Sequence, residues 1–172
     1  MFLGISLGSI FTIYAPLEPS VYSLGGIALA LCMLFVAKLY HKILTIEYFF
    51  KISLAVELVA LIMVSYFLLF SYSYTTALIV YIGYQMTFTF GSYLPRAETL
   101  FLKKTQILSF VDMASQKGYL FGMLLSYMFY KFQEFFLNNY DKELQVYNMH
   151  FLLFITQLFI ITFLVKSFKN KE

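Results

Sequence analysis

Tryptophan is missing from this sequence, cysteine occurs once, and charged residues are scarce. The single cysteine, Cys32, excludes an internal disulfide framework and a cysteine-based metal cluster. The chain also lacks an HExxH metal motif, a nucleophile elbow and a glycine-rich phosphate loop. We therefore predict a protein that is not an enzyme and that holds no metal or cofactor. Its net charge of +3 is spread along the chain and does not indicate nucleic-acid binding.

The scarcity of charge indicates the class of protein. Charged residues make up 12% of the chain and hydrophobic residues 61%, whereas soluble domains carry about 25% charged residues. The composition therefore predicts an integral membrane protein in contact with the lipid bilayer. Because tryptophan is absent, any aromatic belt at the membrane surface would be built from the 15 tyrosines.

Six apolar stretches are candidates for membrane-spanning helices, each near the roughly 20 residues that a crossing requires. The first is short and contains a GxxxG pair, Gly4 and Gly8, which allows close helix packing. Pro16 and Pro19 end this stretch. We predict a single all-α, six-helix transmembrane domain over residues 1–172. The stretches are 1–17, 21–40, 48–71, 75–95, 107–131 and 148–166.

The distribution of basic residues favours six spans. If both termini are cytoplasmic, ten of the 12 lysines and arginines fall on the inner side, and Lys131 and Lys142 fall outside. Cytoplasmic loops of membrane proteins carry such an excess of bases, and a count of five spans would break this partition. We expect a multi-pass protein of the cell inner membrane with both termini in the cytoplasm.

The fifth stretch has two chemically different faces. Small residues recur every four positions and form one stripe, where a second helix backbone can approach closely. Asp112 and Gln116 lie on the opposite side of the helix. Either this side faces a polar cavity or charged partner, or Asp112 only caps the cytoplasmic end of the helix. The small residues are Ala114, Gly118, Gly122 and Ser126.

Two charged residues, Arg96 and Glu98, follow the fourth stretch. Charged groups near the bilayer core are costly and are usually paired. One interpretation pairs Arg96 with Asp112 or Glu57, in a contact that changes between functional states. The alternative makes Arg96 an anchor on the positively charged side. Glu98 weighs against a pure anchor, because an acid is not needed there.

Glu57 lies within the third apolar stretch, six residues after Lys51. An ionised carboxylate at that depth needs a partner or a raised pKa. A proton-carrying carboxylate of a transporter has this profile. A structural charge pair and a position at the membrane interface are the alternative interpretations.

The segment from Gly91 to Gly122 resembles the fourth and fifth helices of one half of a major facilitator superfamily transporter. Many drug and siderophore exporters of that superfamily have an arginine near the end of helix four and then a leucine-rich joint. A polar start to helix five, a glutamine and a Gly-x-x-x-Gly pair follow. The matching positions in this sequence are Arg96, residues 100–108, Asp112, Gln116, Gly118 and Gly122.

The loop after the second stretch resembles the superfamily's Gly-x-Leu-x-Asp-Arg signature, with substitutions. It reads AKLYHK over residues 37–42, so alanine replaces glycine, histidine replaces aspartate and lysine replaces arginine. The resemblance implies a six-helix half of a twelve-helix transporter that works by alternating access, with its substrate near the midplane. The second half would be another copy, a second chain or the remainder of a longer protein.

The leading hypothesis is therefore transmembrane transport of a small solute. Coupling to protons through Glu57 or Asp112 is a further hypothesis. Two other functions remain open at this point. The chain could be the substrate-binding subunit of an energy-coupling vitamin transporter, or a membrane scaffold or assembly subunit whose small-residue stripes only dock partners.

Overall fold

A computed structural model of the protein describes residues 5, 13–70 and 72–169. This part of the chain is all-helical, as predicted, and contains no strand. Gly4 and Gly8 of the first predicted span lie outside the described residues. The helices are α1 (Pro19–Lys38), α2 (Tyr40–Ile43), α3 (Ile46–Leu69), α4 (Tyr74–Phe88), α5 (Tyr93–Leu102), α6 (Thr105–Leu137) and α7 (Lys142–Lys169).

Three of the described helices are long and apolar enough to cross a membrane. They are α1, α3 and the part of α7 from Lys142 to Phe168. Local sequence explains where two of them begin. Pro19 opens α1 at a position that needs no amide hydrogen, and the Thr45 hydroxyl accepts a hydrogen bond from the Tyr48 amide at the start of α3.

Helix α3 lies at the centre of the bundle and packs against α4 and α7. It runs antiparallel to α7, since contacts advance along one helix as they retreat along the other. Phe50 contacts Phe168 with ring centroids 4.6 Å apart, and Phe67 contacts His150 at 4.1 Å. The core between these ends includes Ala60, Val64, Val80, Tyr84, Met149 and Leu153.

Helix α1 packs against α4 through a close contact between Gly25 and the ring of Tyr81. Tyr81 is only 6% exposed and is enclosed by two other aromatic rings. Its centroid lies 5.2 Å from that of Tyr14 and 5.5 Å from that of Tyr22, both nearly edge to face. The Tyr81 hydroxyl donates to the Tyr22 carbonyl at 3.4 Å. Any side chain at position 25 would therefore meet a ring that is held in place.

The fourth predicted span extends seven residues past the end of α4 at Phe88. The chain turns there, with the Gly91 amide donating to the Phe88 carbonyl at 2.8 Å, and then starts α5. Pro95 gives a physical reason for the break. It has no amide hydrogen to donate within a continuous helix, but it is tolerated in the first turn of α5.

The polar segment between the fifth and sixth predicted stretches, residues 132–147, is mostly helical, and the turn between α6 and α7 is only four residues long. Asn138 ends α6 in the left-handed conformation, with φ of 49°. Gln133, which is 1% exposed, then ties the two helices together. Its Oε1 accepts from Nδ2 of Asn148 at 2.7 Å, and its Nε2 donates to the Gln145 carbonyl at 3.3 Å. Polar residues that suggested a loop instead link two helices.

Candidate functional site

The candidate site is a polar contact between Glu57 on α3 and Gln157 on α7. Nε2 of Gln157 donates to Oε2 of Glu57 at 2.5 Å and also to the Glu57 backbone carbonyl at 2.8 Å. The contact lies in a mostly apolar part of the seam, where Ala60, Val64 and Leu153 fill the core beside it. It also gives the predicted residue Glu57 a partner that lies on another helix.

Both side chains lie about halfway along their helices. Glu57 is eleven residues after Ile46 and twelve before Leu69, which places it roughly 17 Å from either end of α3 at 1.5 Å per residue. Gln157 is likewise near the middle of α7. If α3 and α7 cross a hydrocarbon layer of about 30 Å, the contact lies near its midplane.

The burial of the two side chains differs. Gln157 is fully buried, whereas Glu57 is half-buried. The Oε1 atom of Gln157 is enclosed but has no hydrogen-bond partner among the described residues. An enclosed polar atom without a partner costs about 1–3 kcal/mol, so this amide retains an unused acceptor at the centre of the bundle.

The chemistry of the pair suits a group that changes its protonation state. A carboxylate only accepts hydrogen bonds, whereas a carboxylic acid can also donate one. An amide offers both kinds of partner: Nε2 donates to the carboxylate, and Oε1 can accept from the acid. Gln157 can therefore match either state of Glu57 by turning its amide.

Two further enclosed polar atoms have no partner within the described part of the chain. They are Oε1 of Gln85 on α4 and the hydroxyl oxygen of Tyr130 on α6. Helix α7 also has three other buried polar residues, Gln145, His150 and Thr156. Nδ1 of His150 is bonded to the Val146 carbonyl at 2.7 Å. The interior of the described bundle thus contains several polar groups besides the Glu57–Gln157 contact.

Arg96 forms no ion pair with Asp112 or Glu57, the acids that were considered as its partners. The ion pairs among the described residues are Lys51–Glu47 and Lys131–Glu134. Instead, the Arg96 guanidinium lies over the ring of Tyr40, 5.8 Å from its centroid.

Glu98 and Asp112 are brought together on α5 and α6. Burial raises the pKa of the Glu98 carboxyl, and the nearby negative charge of Asp112 raises it further. Asp112 and Gln116 are both exposed. The structure therefore places these two predicted residues on an outward-facing part of α6, together with an acid from α5.

The small residues of α6 differ in their burial. Gly122 and Ser126 are buried, Gly118 is half-buried and Ala114 is exposed. The inward face continues to Gln133, which lies seven residues beyond Ser126 and is also buried. The small-residue stripe is therefore turned into the protein along its second half only.

Gln157 is the site residue that sequence reasoning missed. The signal was present as Thr156-Gln157, a polar pair inside the apolar run of residues 151–165. A neutral amide in an apolar helix attracts less notice than a carboxylate. Its importance emerges only because α7 faces α3 at the level of Glu57.

Comparison of the chain with protein-family models, curated proteins and solved structures gave no match. The resemblance to the major facilitator superfamily therefore stays a prediction, carried by the sequence motifs alone.

Proposed function

We propose that the protein is a membrane transport protein that moves a small polar solute, with Glu57 as a proton-carrying group. The observation that carries this proposal is the Glu57–Gln157 contact at the middle of two antiparallel helices, each long enough to cross a membrane. Ionisable side chains in such positions are costly and usually mark solute, ion or proton pathways.

The unpartnered atoms favour transport over a purely structural role. A polar contact that only fixed the register of α3 and α7 would leave no enclosed acceptor unused, because each such atom costs free energy. Oε1 of Gln157 and Oε1 of Gln85 are enclosed and have no partner among the described residues, so a solute would reach them only when the bundle opens. A polar solute in the bundle would bond to such atoms.

Protonation of Glu57 provides the coupling step. Ionised Glu57 accepts a hydrogen bond from the Gln157 amide, and the seam between α3 and α7 carries a half-buried charge. When Glu57 takes up a proton, the charge disappears and the amide can turn its Oε1 toward the acid. The two states differ in charge and in hydrogen-bond direction at the contact between two helices, as a bistable coupling element requires.

The wider architecture in this proposal is a six-span bundle that acts with a second half. The second half is another copy, a second chain or the remainder of a longer protein, and solute binds near the midplane between the halves. Helix α6, with 33 residues, is about 50 Å long and exceeds a bilayer crossing. The protein would lie in the cell inner membrane with both termini in the cytoplasm, as the excess of bases on one side suggests.

The test compares two glutamates on α3. Glu57→Gln removes the half-buried carboxyl, and Glu47→Gln is the matched control because Glu47 is an exposed residue paired with Lys51. The purified protein is screened with small solutes for thermal stabilisation, which reaches about 2.7 kcal/mol at a ligand concentration of 100 times Kd. Uptake of the stabilising solute into proteoliposomes is then measured against pH.

The expected result is a pH-dependent uptake in the wild type and in Glu47→Gln that becomes flat in Glu57→Gln. An unchanged pH dependence in Glu57→Gln would remove this residue from the mechanism. The mass of the detergent-solubilised particle tests the architecture separately. A dimer supports a pair of halves, whereas a stable monomer counts against a self-sufficient half-transporter.

A further inference from the structure

A second site lies at the end of the bundle, where α2 packs beside α5. A cleft of about 760 Å³ opens there. Two basic side chains line it, Arg96 and Lys103, together with the hydroxyl groups of Tyr40, Ser92 and Thr99. None of the described residues that line it is acidic. The cleft therefore offers positive charge and hydroxyl groups in one concave surface.

The walls of the cleft are held in place from behind. Tyr93 is fully buried between the two helices, and its hydroxyl donates to the Ile43 carbonyl at 2.7 Å. The Tyr40 hydroxyl lies 3.3 Å from Oγ of Ser92, which joins α2 to the start of α5. Arg96 then lies against the ring of Tyr40. The geometry is built by contacts between residues about 50 positions apart in sequence.

The positive charge in the cleft is not neutralised by protein groups. The ion pairs of the described residues involve neither Arg96 nor Lys103. Glu98 is the nearest acid in sequence, but it is half-buried near Asp112 of α6. It also lies two residues from Arg96, and residues two apart on a helix do not face the same way. The two bases are exposed and are therefore open to an external anion.

We propose that this cleft binds the phosphate of an anionic phospholipid headgroup. A guanidinium offers a planar fork that matches phosphate oxygens, and an ammonium adds a second point charge. Leu44 and Leu100 provide apolar wall beside these bases, which suits the glycerol and upper acyl part of a lipid. This inference requires a membrane protein but does not depend on transport.

The position of the cleft fits a headgroup rather than an acyl chain. Rings at the start of α3 and near the end of α7 meet at this end of the bundle, as the Phe49–Phe168 and Phe49–Phe101 contacts show. Phe101 belongs to α5, so the cleft lies at the level where two candidate membrane helices end. Basic pockets at that level recognise anionic headgroups.

Binding is measured with the detergent-solubilised protein and two lipids, phosphatidylglycerol and phosphatidylcholine, by titration in mixed micelles. The variants are Arg96→Gln, Lys103→Gln and the charge-retaining Arg96→Lys. Lys117→Gln is the matched control, since it removes one exposed positive charge from α6, outside the cleft. Inorganic phosphate is added as a competitor in a separate arm.

The wild type and Lys117→Gln should prefer phosphatidylglycerol, with affinity that falls as salt is raised. Arg96→Gln and Lys103→Gln should each bind it about fivefold more weakly, the equivalent of about 1 kcal/mol per basic residue at an anionic surface. Arg96→Lys should lie between the wild type and Arg96→Gln. If Arg96→Gln does not fold, the loss of affinity for phosphatidylglycerol in Lys103→Gln and Arg96→Lys tests the same assignment.

Three results would overturn the assignment. Equal affinity for the two lipids would show that charge is not recognised. An equal loss of affinity in Lys117→Gln, Arg96→Gln and Lys103→Gln would show general attraction of the lipid to a basic surface. Displacement of phosphatidylglycerol by inorganic phosphate, in excess of that by chloride at the same ionic strength, would identify a free phosphate group, rather than a lipid, as the occupant.

Discussion

Substitution of the two adjacent glycines of α1 isolates the energy of one helix contact. A Cβ added at Gly25 would overlap the ring of Tyr81 on α4, whereas a Cβ added at Gly26 would meet nothing within 4 Å. Gly25→Ala and Gly26→Ala are therefore matched variants. They make the same chemical change in the same helix, and only one of them disturbs the contact with α4.

The expected magnitude follows from two opposing effects. Replacing glycine by alanine inside a helix stabilises it by about 0.5–1 kcal/mol, and both variants gain this. Overpacking of a close contact costs about 1–3 kcal/mol, and only Gly25→Ala pays it. The Tyr81 ring cannot yield easily, because the rings of Tyr14 and Tyr22 enclose it. Subtracting one variant from the other cancels the helix term and leaves the overpacking cost.

Thermal unfolding of the detergent-solubilised variants measures this difference. At about 2–4 °C per kcal/mol for a chain of this size, Gly25→Ala should melt about 2–12 °C below Gly26→Ala. Removing the ring with Tyr81→Ala should abolish the difference, because residues in contact are energetically coupled. Equal melting temperatures of Gly25→Ala and Gly26→Ala in the protein that retains Tyr81 would refute the close approach of α1 and α4.

Two further substitutions test the contact between Gly83 and Met63 and the raised pKa of Glu98. Gly83→Ala would press on the side chain of Met63. Because an unbranched thioether can change rotamer, the melting temperature should fall less than in Gly25→Ala. A larger fall than in Gly25→Ala would contradict this relief by Met63. Glu98 has a pKa raised by burial and then by Asp112, so it destabilises the fold increasingly as pH rises above the ordinary value of 4.5. Glu98→Gln should therefore melt above the wild type at neutral pH and converge with it near pH 4.5, and parallel curves at all pH values would contradict the shifted pKa.

The sequence predicted the parts of the fold that depend on local composition. Apolar length marked α1, α3 and α7 as candidate membrane helices, and Pro19 marked the start of α1. A carboxylate in an apolar run singled out Glu57, which the structure places half-buried against α7. These features can be read from neighbouring residues because length, helix capping and desolvation act locally.

Features that depend on packing between distant segments could not be predicted. Gln157 lies 100 positions from Glu57, and no spacing rule selects one glutamine as its partner. Arg96 was considered as a partner of acids, but in the structure it lies over the ring of Tyr40. Polar residues between α6 and α7 suggested a long loop, because sequence does not show that Gln133 binds across a tight turn.

The separation of Glu57 and Gln157 also sets the order in which the bundle is made. A ribosome adds about 5–20 residues per second, so α3 exists for roughly 5–20 s before Gln157 is synthesised. During that interval the Glu57 side chain lacks its amide partner, and the face of α3 that later meets α7 is open. The contact between α3 and α7 can form only after the 100 residues that follow Glu57 have been added. A nascent chain that stops before α7 would therefore carry an unpartnered carboxyl group that distinguishes it from a chain that contains α7.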